Sequence, residues 1–250
     1  RMRNTAAIYR RELRAYFVSP IAYFVLIPFL FVCGFFFWSA FSYYARARYP
    51  NAPTELMAGM LQTMSMILVL VTPVLTMRTF AEEKRSGTME LLITSPVREV
   101  EVVLGKFLAS WTLLIIMLAA TLPYPIYVHR YGNPDNGPIV TGYLGLVLLG
   151  ACLIALGLMA SSATRNQIVA AVTTFGLGLL LWVITFLPQS VGSFEAYKTL
   201  RSGIVYLSLQ QHLEDFTRGV IVLKDVFFYI SFAAVCLFLT VTSVVSGRWR

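Results

Sequence analysis

The chain has 250 residues, 58% of them hydrophobic and only 13% charged, with a mean hydropathy of +0.71. Soluble domains carry about 25% charged residues, so the solvent this sequence is written for is a lipid bilayer. The net charge of +8 and the pI near 9.6 belong to basic residues that flank apolar runs and form no groove-reading or base-stacking motif, which excludes a nucleic-acid-binding protein and points to membrane topology.

In chain order, the first predicted element covers residues 1–20. Ala6, Tyr9, Leu13, Tyr16 and Phe17 recur at helical spacing, while Arg3, Arg10, Arg11 and Arg14 take the opposite face. That pattern predicts an interfacial helix lying in the membrane plane, and Ser19-Pro20 turns the chain into the bilayer. Crossing a hydrocarbon core of about 30 Å takes about 20 helical residues. Six uncharged runs meet the requirement, at 21–43, 56–77, 107–128, 139–162, 168–187 and 226–246. They lack the alternation of barrel strands, and backbone groups in lipid need internal partners, so the fold class is an all-α integral membrane protein with six transmembrane helices. The first run is too long and too aromatic for a signal peptide. Pro28, Pro73 and the Pro123-Tyr124-Pro125 pair are expected to kink or break their helices. Gly150, Gly157 and Ser161 give the fourth run a small-residue face for close packing.

Between the fifth and sixth runs, residues 188–225 carry Leu209, Leu213, Phe216 and Val220 in one stripe, opposed by Gln210, Gln211, Glu214 and Arg218. An amphipathic helix within 203–222 is expected to rest on the outer leaflet or to fold back over the bundle, with Gly219 turning the chain toward the last run. No linker composition interrupts 1–250, which reads as a single transmembrane domain. Of the 20 Lys and Arg, thirteen lie on the side of the termini and the second-to-third loop and seven on the other. The positive-inside rule therefore puts both termini in the cytoplasm and 188–225 outside. Cys33, Cys152 and Cys236 have neither pairing nor ligand spacing and read as packing residues. His129 and His212 read as structural or interfacial residues at the outer face.

Chemistry of its own is hard to find in this chain. The six runs contain no Asp, Glu, Lys or Arg, so there is no coupling-ion site of the kind a proton-driven pump carries. A nucleophile with a base at membrane depth is lacking, and no enzyme is predicted. Leu104-Gly105-Lys106-Phe107 lacks the upstream glycine and the hydroxyl of a phosphate loop, which leaves Lys106 as a snorkelling lysine at the start of a span. The densest charge lies at 79–96. There Thr79 and Glu82 fit a capping box, Gly87 breaks the turn, Thr88 can cap a second short helix, and Ser95-Pro96 starts the next long helix. A plain connection needs about two to eight residues; this one is longer and reads as a surface built to be gripped.

The stretch Arg78-Thr79-Phe80-Ala81-Glu82-Glu83-Lys84-Arg85-Ser86-Gly87-Thr88-Met89-Glu90-Leu91-Leu92-Ile93-Thr94-Ser95-Pro96-Val97, with Glu101-Val102-Val103-Leu104-Gly105-Lys106-Phe107 after it, closely resembles the permease subunits of ABC-2 type transporters. Tyr9 to Pro20 and Leu209 to Val220 resemble the gliding-motility-associated branch of that family, which is related to a copper-site-maturation branch. The resemblance implies two permease subunits, identical or paralogous, in the bacterial cytoplasmic membrane, each contacted by a cytoplasmic ATPase that holds ATP and Mg. No cofactor or metal is expected in this chain. On the same ground Glu82, Glu83, Lys84, Arg85, Gly87, Thr88, Glu90, Leu91 and Leu92 match the coupling helix, and Tyr9, Arg10, Leu13, Arg14 and Phe17 match the elbow helix. If the second and fifth spans line the pathway, Thr63, Thr72, Thr173 and Thr174 face it. Met57, Met60 and Met64 share a face that reads as packing in preference to a soft-metal site. The expected function is export of an amphipathic or hydrophobic substrate driven by the partner ATPase. Alternatives are mechanotransmission to a periplasmic partner without translocation, or a passive channel or scramblase.

Overall fold

The structure, a computed structural model, describes residues 2–47, 52–88, 98–186 and 206–246. Among these, ten α-helices follow one another: α1 Met2–Val18, α2 Ile21–Ala47, α3 Ala52–Thr76, α4 Ala81–Ser86, α5 Glu99–Ala119, α6 Pro123–Tyr131, α7 Asn136–Ala163, α8 Gln167–Val183, α9 Leu209–Thr217 and α10 Leu223–Ser246. A 3-10 turn, Ile184–Phe186, follows α8, and the described residues contain no strand.

Among the described residues, five stretches can cross a membrane by length and composition: Ala22–Arg46, Ala52–Ser86, Glu99–Tyr131, Asn136–Ala163 and Leu223–Ser246. The fifth predicted span corresponds to α8, whose 17 residues rise about 26 Å, short of a 30 Å core; the residue that closes the predicted range lies outside the described ones. The third predicted span is broken. Helix α5 ends at Ala119, Thr121 Oγ1 donates to the Leu118 carbonyl at 2.6 Å, and α6 starts afresh with Pro123 at its first position. Proline fits there because the first turn of a helix needs no N–H partner. Pro28 and Pro73 are instead carried inside α2 and α3.

Helix α7 is the axis of the bundle, packed by α3, α5, α8, α9 and α10. Its start is fixed locally, where Asp135 Oδ1 accepts from the Gly137 N–H at 3.0 Å. In lipid, apolar burial gives no net drive between helices, so close van der Waals approach and hydrogen bonds must hold the bundle. The small-residue face of α7 supplies the approach. A Cβ at Gly157 would run into the Thr76 side chain, and one at Gly150 would stand 2.6 Å from Leu114. Trp111 Nε1 donates to the Val147 carbonyl at 3.0 Å, and Thr121 and Tyr143 share a hydroxyl hydrogen bond of 2.9 Å. Phe24, Phe31 and Trp38 of α2, Val172 of α8 and Phe238 of α10 stay exposed, as lipid-facing side chains should. Cys33, Cys152 and Cys236 are buried free thiols.

Two amphipathic elements are placed differently from a simple surface helix. Helix α1 crosses α5 with Ile8, Tyr9, Glu12, Leu13 and Tyr16 half-buried, while Ala6 and Phe17 of the predicted stripe are exposed. Helix α9 folds back over the bundle: Leu209, Leu213 and Phe216 are fully buried, whereas Val220 is exposed. Gly219, with φ +89°, makes the left-handed turn toward α10 that a β-carbon disfavours. Residues 203–205 of the predicted helix lie outside the described ones.

A candidate coupling site at one end of the bundle

Helix α4 is anchored by distant residues. The predicted box of Thr79 and Glu82 does not form; Thr79 Oγ1 donates to the Thr76 carbonyl at 2.5 Å, and the Phe80 and Ala81 N–H groups donate to Ser161 Oγ at 3.2 and 3.1 Å. The Ser161 hydroxyl hydrogen in turn goes to the Met77 carbonyl at 3.2 Å. A side chain at the end of α7 thus caps α4, doing from far away what an N-cap residue does locally. The favour is returned at the other helix's end. Lys84 Nζ donates to the Ser162 carbonyl, one of the last acceptors of α7, where a cation also complements the helix dipole. Ser243 Oγ of α10 donates to the same carbonyl at 3.0 Å.

Helix α4 has two faces. Glu82 and Arg85 are exposed, while Glu83 and Lys84 turn inward. Glu83 Oε1 accepts from Lys106 Nζ at 2.7 Å, and Lys106 also reaches Glu12 Oε1 of α1 at 3.3 Å. Arg11 closes the cluster, 2.8 Å from Glu12 and 3.8 Å from Glu83. The Lys106 side chain is only 1% exposed, with its ammonium 5.3 Å from the centre of the Phe80 ring. Lys106 does not snorkel: two carboxylates satisfy it inside, and a buried charge persists only when so paired. Burial pushes the Glu12 carboxyl up, but the Lys106 charge and the Arg11 hydrogen bond outweigh it and hold the group below its ordinary value. Nearby, Tyr16 OH donates to the Leu75 carbonyl at 3.0 Å and meets Ser110 Oγ at 2.9 Å; burial pushes this phenol up to about 12.

Gly87, with φ +73°, ends α4. Thr88 Oγ1 lies 2.9 Å from Ser86 Oγ. Glu90, Leu91 and Leu92, with Met89, Ser95 and Pro96, lie outside the described residues. Helix α5 opens at Arg98, whose N–H is met by Glu101 Oε2 at 3.1 Å, with Asn4 Nδ2 of α1 donating to the same oxygen at 3.3 Å. Of the elbow residues, Tyr9 OH donates to Thr112 Oγ1 at 3.2 Å, Leu13 is half-buried, and Arg10, Arg14 and Phe17 face outward.

The expected pathway residues lie on α3 and α8, which pack against each other. Thr72 and Thr174 are buried with their hydroxyls donating to Leu68 and Ala170 of their own helices, Thr63 does the same to Gly59 from a half-buried position, and Thr173 is exposed. Met57, Met60 and Met64 are core residues. Sequence reasoning missed Glu12, Lys106 and Ser161 as parts of this site. One signal was present: Glu12 is the only acid before Glu55, set among five arginines.

Long apolar helices around a close-packed axis, with a charged knot at one end, define a multi-pass helical membrane protein. The chain belongs to the ABC-2 family of transporter proteins, whose family pattern it matches over residues 7–246. It is similar to YbhR of Escherichia coli K12, described as a probable multidrug ABC transporter permease, at 25% identity over 163 residues, 64% of this chain and 42% of the relative. The same protein in Escherichia coli O157:H7 matches equally. The matched stretch is less than half the length of these curated relatives.

Proposed function

We propose that the chain is the membrane-spanning subunit of an ABC exporter, paired with a second permease subunit and driven by a cytoplasmic ATPase that binds ATP and Mg. The observation that carries this is α4: its inner face is bonded to α1, α5 and α7, and its outer face presents Glu82 and Arg85 to whatever docks there. A stroke delivered to such an element reaches three helices at once, as rigid-body switching between arrangements requires. Glu82 and Arg85 set register with the ATPase, and the neighbouring Leu91 and Leu92 supply the apolar contact. Six spans, with α8 and the residues after it as the fifth, put both termini and α4 in the cytoplasm and α9 outside. The narrower likeness to the gliding-motility-associated branch rests on the motifs at 9–20 and 209–220. The cargo is an amphipathic or hydrophobic molecule, in keeping with walls so poor in charge and with the multidrug description of the relative.

The test is affinity purification from native membranes. An ABC ATPase is expected to co-purify with the parent protein, and to be lost, without loss of the folded permease, from Glu82→Arg and Arg85→Glu. Solute flux through vesicles holding this chain alone, without nucleotide, would overturn the reading.

A further inference from the structure

At the opposite end of α7 from α4, His212 of α9 and Asp225 of α10 form a pair whose side chains are 4% and 5% exposed. Nδ1 of the ring lies 2.6 Å from Asp225 Oδ1, and Nε2 lies 2.9 Å from the Tyr206 carbonyl oxygen. A carbonyl only accepts, so Nε2 carries a hydrogen. An ionised carboxylate only accepts too, so the contact at Nδ1 needs another hydrogen, on the ring or on Asp225. Neutral imidazole has only one N–H. The pair is therefore complete only with one proton more than neutral imidazole and carboxylate hold between them. His129 also meets two oxygens, of Pro125 and Asn136; there a turned-over amide presents a donor and no extra proton is required.

Among the described residues, the surroundings offer no substitute for that proton. Asp225 Oδ2 is buried with no hydrogen-bond partner among the described residues. The ring stacks on Phe228, 3.9 Å between centroids, a face that favours a cation, with the rings of Tyr206 and Tyr229 steeply inclined to it. Lys224 Nζ lies over the Tyr206 ring at 4.8 Å, and Tyr229 OH donates to the Leu209 carbonyl at 2.8 Å. From α7 come Cys152, which donates to the Tyr229 carbonyl, and Thr141; α3 brings the neutral Ser65. On α9 itself Glu214 is paired to Arg218, and Asp215 is half-buried.

We propose that His212 and Asp225 form a proton-binding site, and that the bound proton latches α9 across the end of the bundle. With the proton gone, two lone pairs face each other at 2.6 Å and a buried carboxylate loses its partner. What then holds α9 is neutral: Ser65 Oγ donating to Gln210 Oε1 at 3.0 Å, Thr141 Oγ1 donating to the Phe216 carbonyl at 2.6 Å, and Leu213 and Phe216 set over Gly145. This rests on the exporter reading only for the side of the membrane, which makes the external medium the source of the proton and links opening of the outer end to external pH.

The test uses the whole chain in lipid nanodiscs, with ¹⁵N-labelled histidine; His129→Gln leaves a single imidazole to observe. Raising the pH is expected to move the His212 signals out of the doubly protonated range. Over the same interval the protection of amides 209–217 against deuterium exchange, corrected for intrinsic rate, should fall roughly tenfold or more, as for one lost charge-assisted hydrogen bond. In Asp225→Asn and His212→Gln protection should no longer depend on pH. Unchanged protection while His212 loses its proton, or wild-type pH dependence in either variant, overturns the proposal. No ATPase takes part, so failure to find one defeats the exporter reading and leaves this result standing.

Discussion

Lys106 shows what one residue can fix. Its ammonium is shared by Glu12 of α1 and Glu83 of α4, so removing it leaves two carboxylates facing each other with only the exposed Arg11 between them. Lys106→Met is expected to cost about 3 kcal/mol, the order found when one partner of a buried ion pair is deleted. Thermal unfolding in nanodiscs measures the loss, and the triple change Lys106→Met, Glu12→Gln, Glu83→Gln should recover most of it, because no charge is then left unpaired. The pH dependence has a definite sign. Since the Glu12 carboxyl is held below its ordinary value of 4.5, its contribution is fully present above that pH and is lost as pH falls through the lower folded value. Limited proteolysis of α1 should thus be flat from neutral pH down to about 4.5 and rise below it, and Glu12→Gln should remove the acid-dependent rise.

At the scale of elements, the joint between α4 and α7 is reciprocal. Each helix supplies the group that closes the other's end, so neither can shift along the other without opening two sets of backbone groups. Ser161→Ala strips the acceptor from the Phe80 and Ala81 N–H groups and should cost about 1 to 2 kcal/mol, as loss of an N-cap does. The readout that separates this from general destabilisation is local: exchange of the 80–86 amides accelerates while those of 146–158 do not. Contact between α3 and α7 depends on bare backbone at Gly157. Gly157→Ala should destabilise by about 1 to 3 kcal/mol through overpacking, and part of the loss should return in a Thr76→Ala background, where the obstructing hydroxyl and methyl are gone.

For the whole molecule, Thr141 beneath α9 and Ser161 beneath α4 are 20 positions apart on one helix, about 30 Å of rise. That separation matches the thickness of a hydrocarbon core, as the proposed six-span topology requires of its two ends. An impermeant maleimide should label Arg85→Cys only in inverted vesicles and Glu214→Cys only in right-side-out ones. Labelling of both from one side would defeat the six-span topology. The proposed stroke on α4 and the proposed latch on α9 would be joined by α7, one unbroken helix from Asn136 to Ala163.

Periodicity and composition alone determined the membrane class, the all-helical character, the break at Pro123 and the turns at Gly87 and Gly219, because each depends on residues within a turn or two of one another. The motif at 78–97 likewise disclosed the family, since it is contiguous. The partners of buried polar groups were beyond reach. Lys106 looks the same in sequence whether it snorkels or pairs, and only folding brings Glu12, 94 positions away, to its ammonium. Thr79 and Glu82 had the right spacing to cap α4, yet Ser161 took that place, because a hydroxyl fixed at the end of α7 already stood where the free N–H groups point. His212 read as a structural or interfacial residue and Asp225 as the end of the outer segment; that they pair, shut away from water, appeared only once α9 folded inward. Tertiary structure decided these matters for one physical reason: a charge or an open backbone group removed from water must be matched by whatever the fold places within 3 Å or so of it, and that distance is not written along the chain.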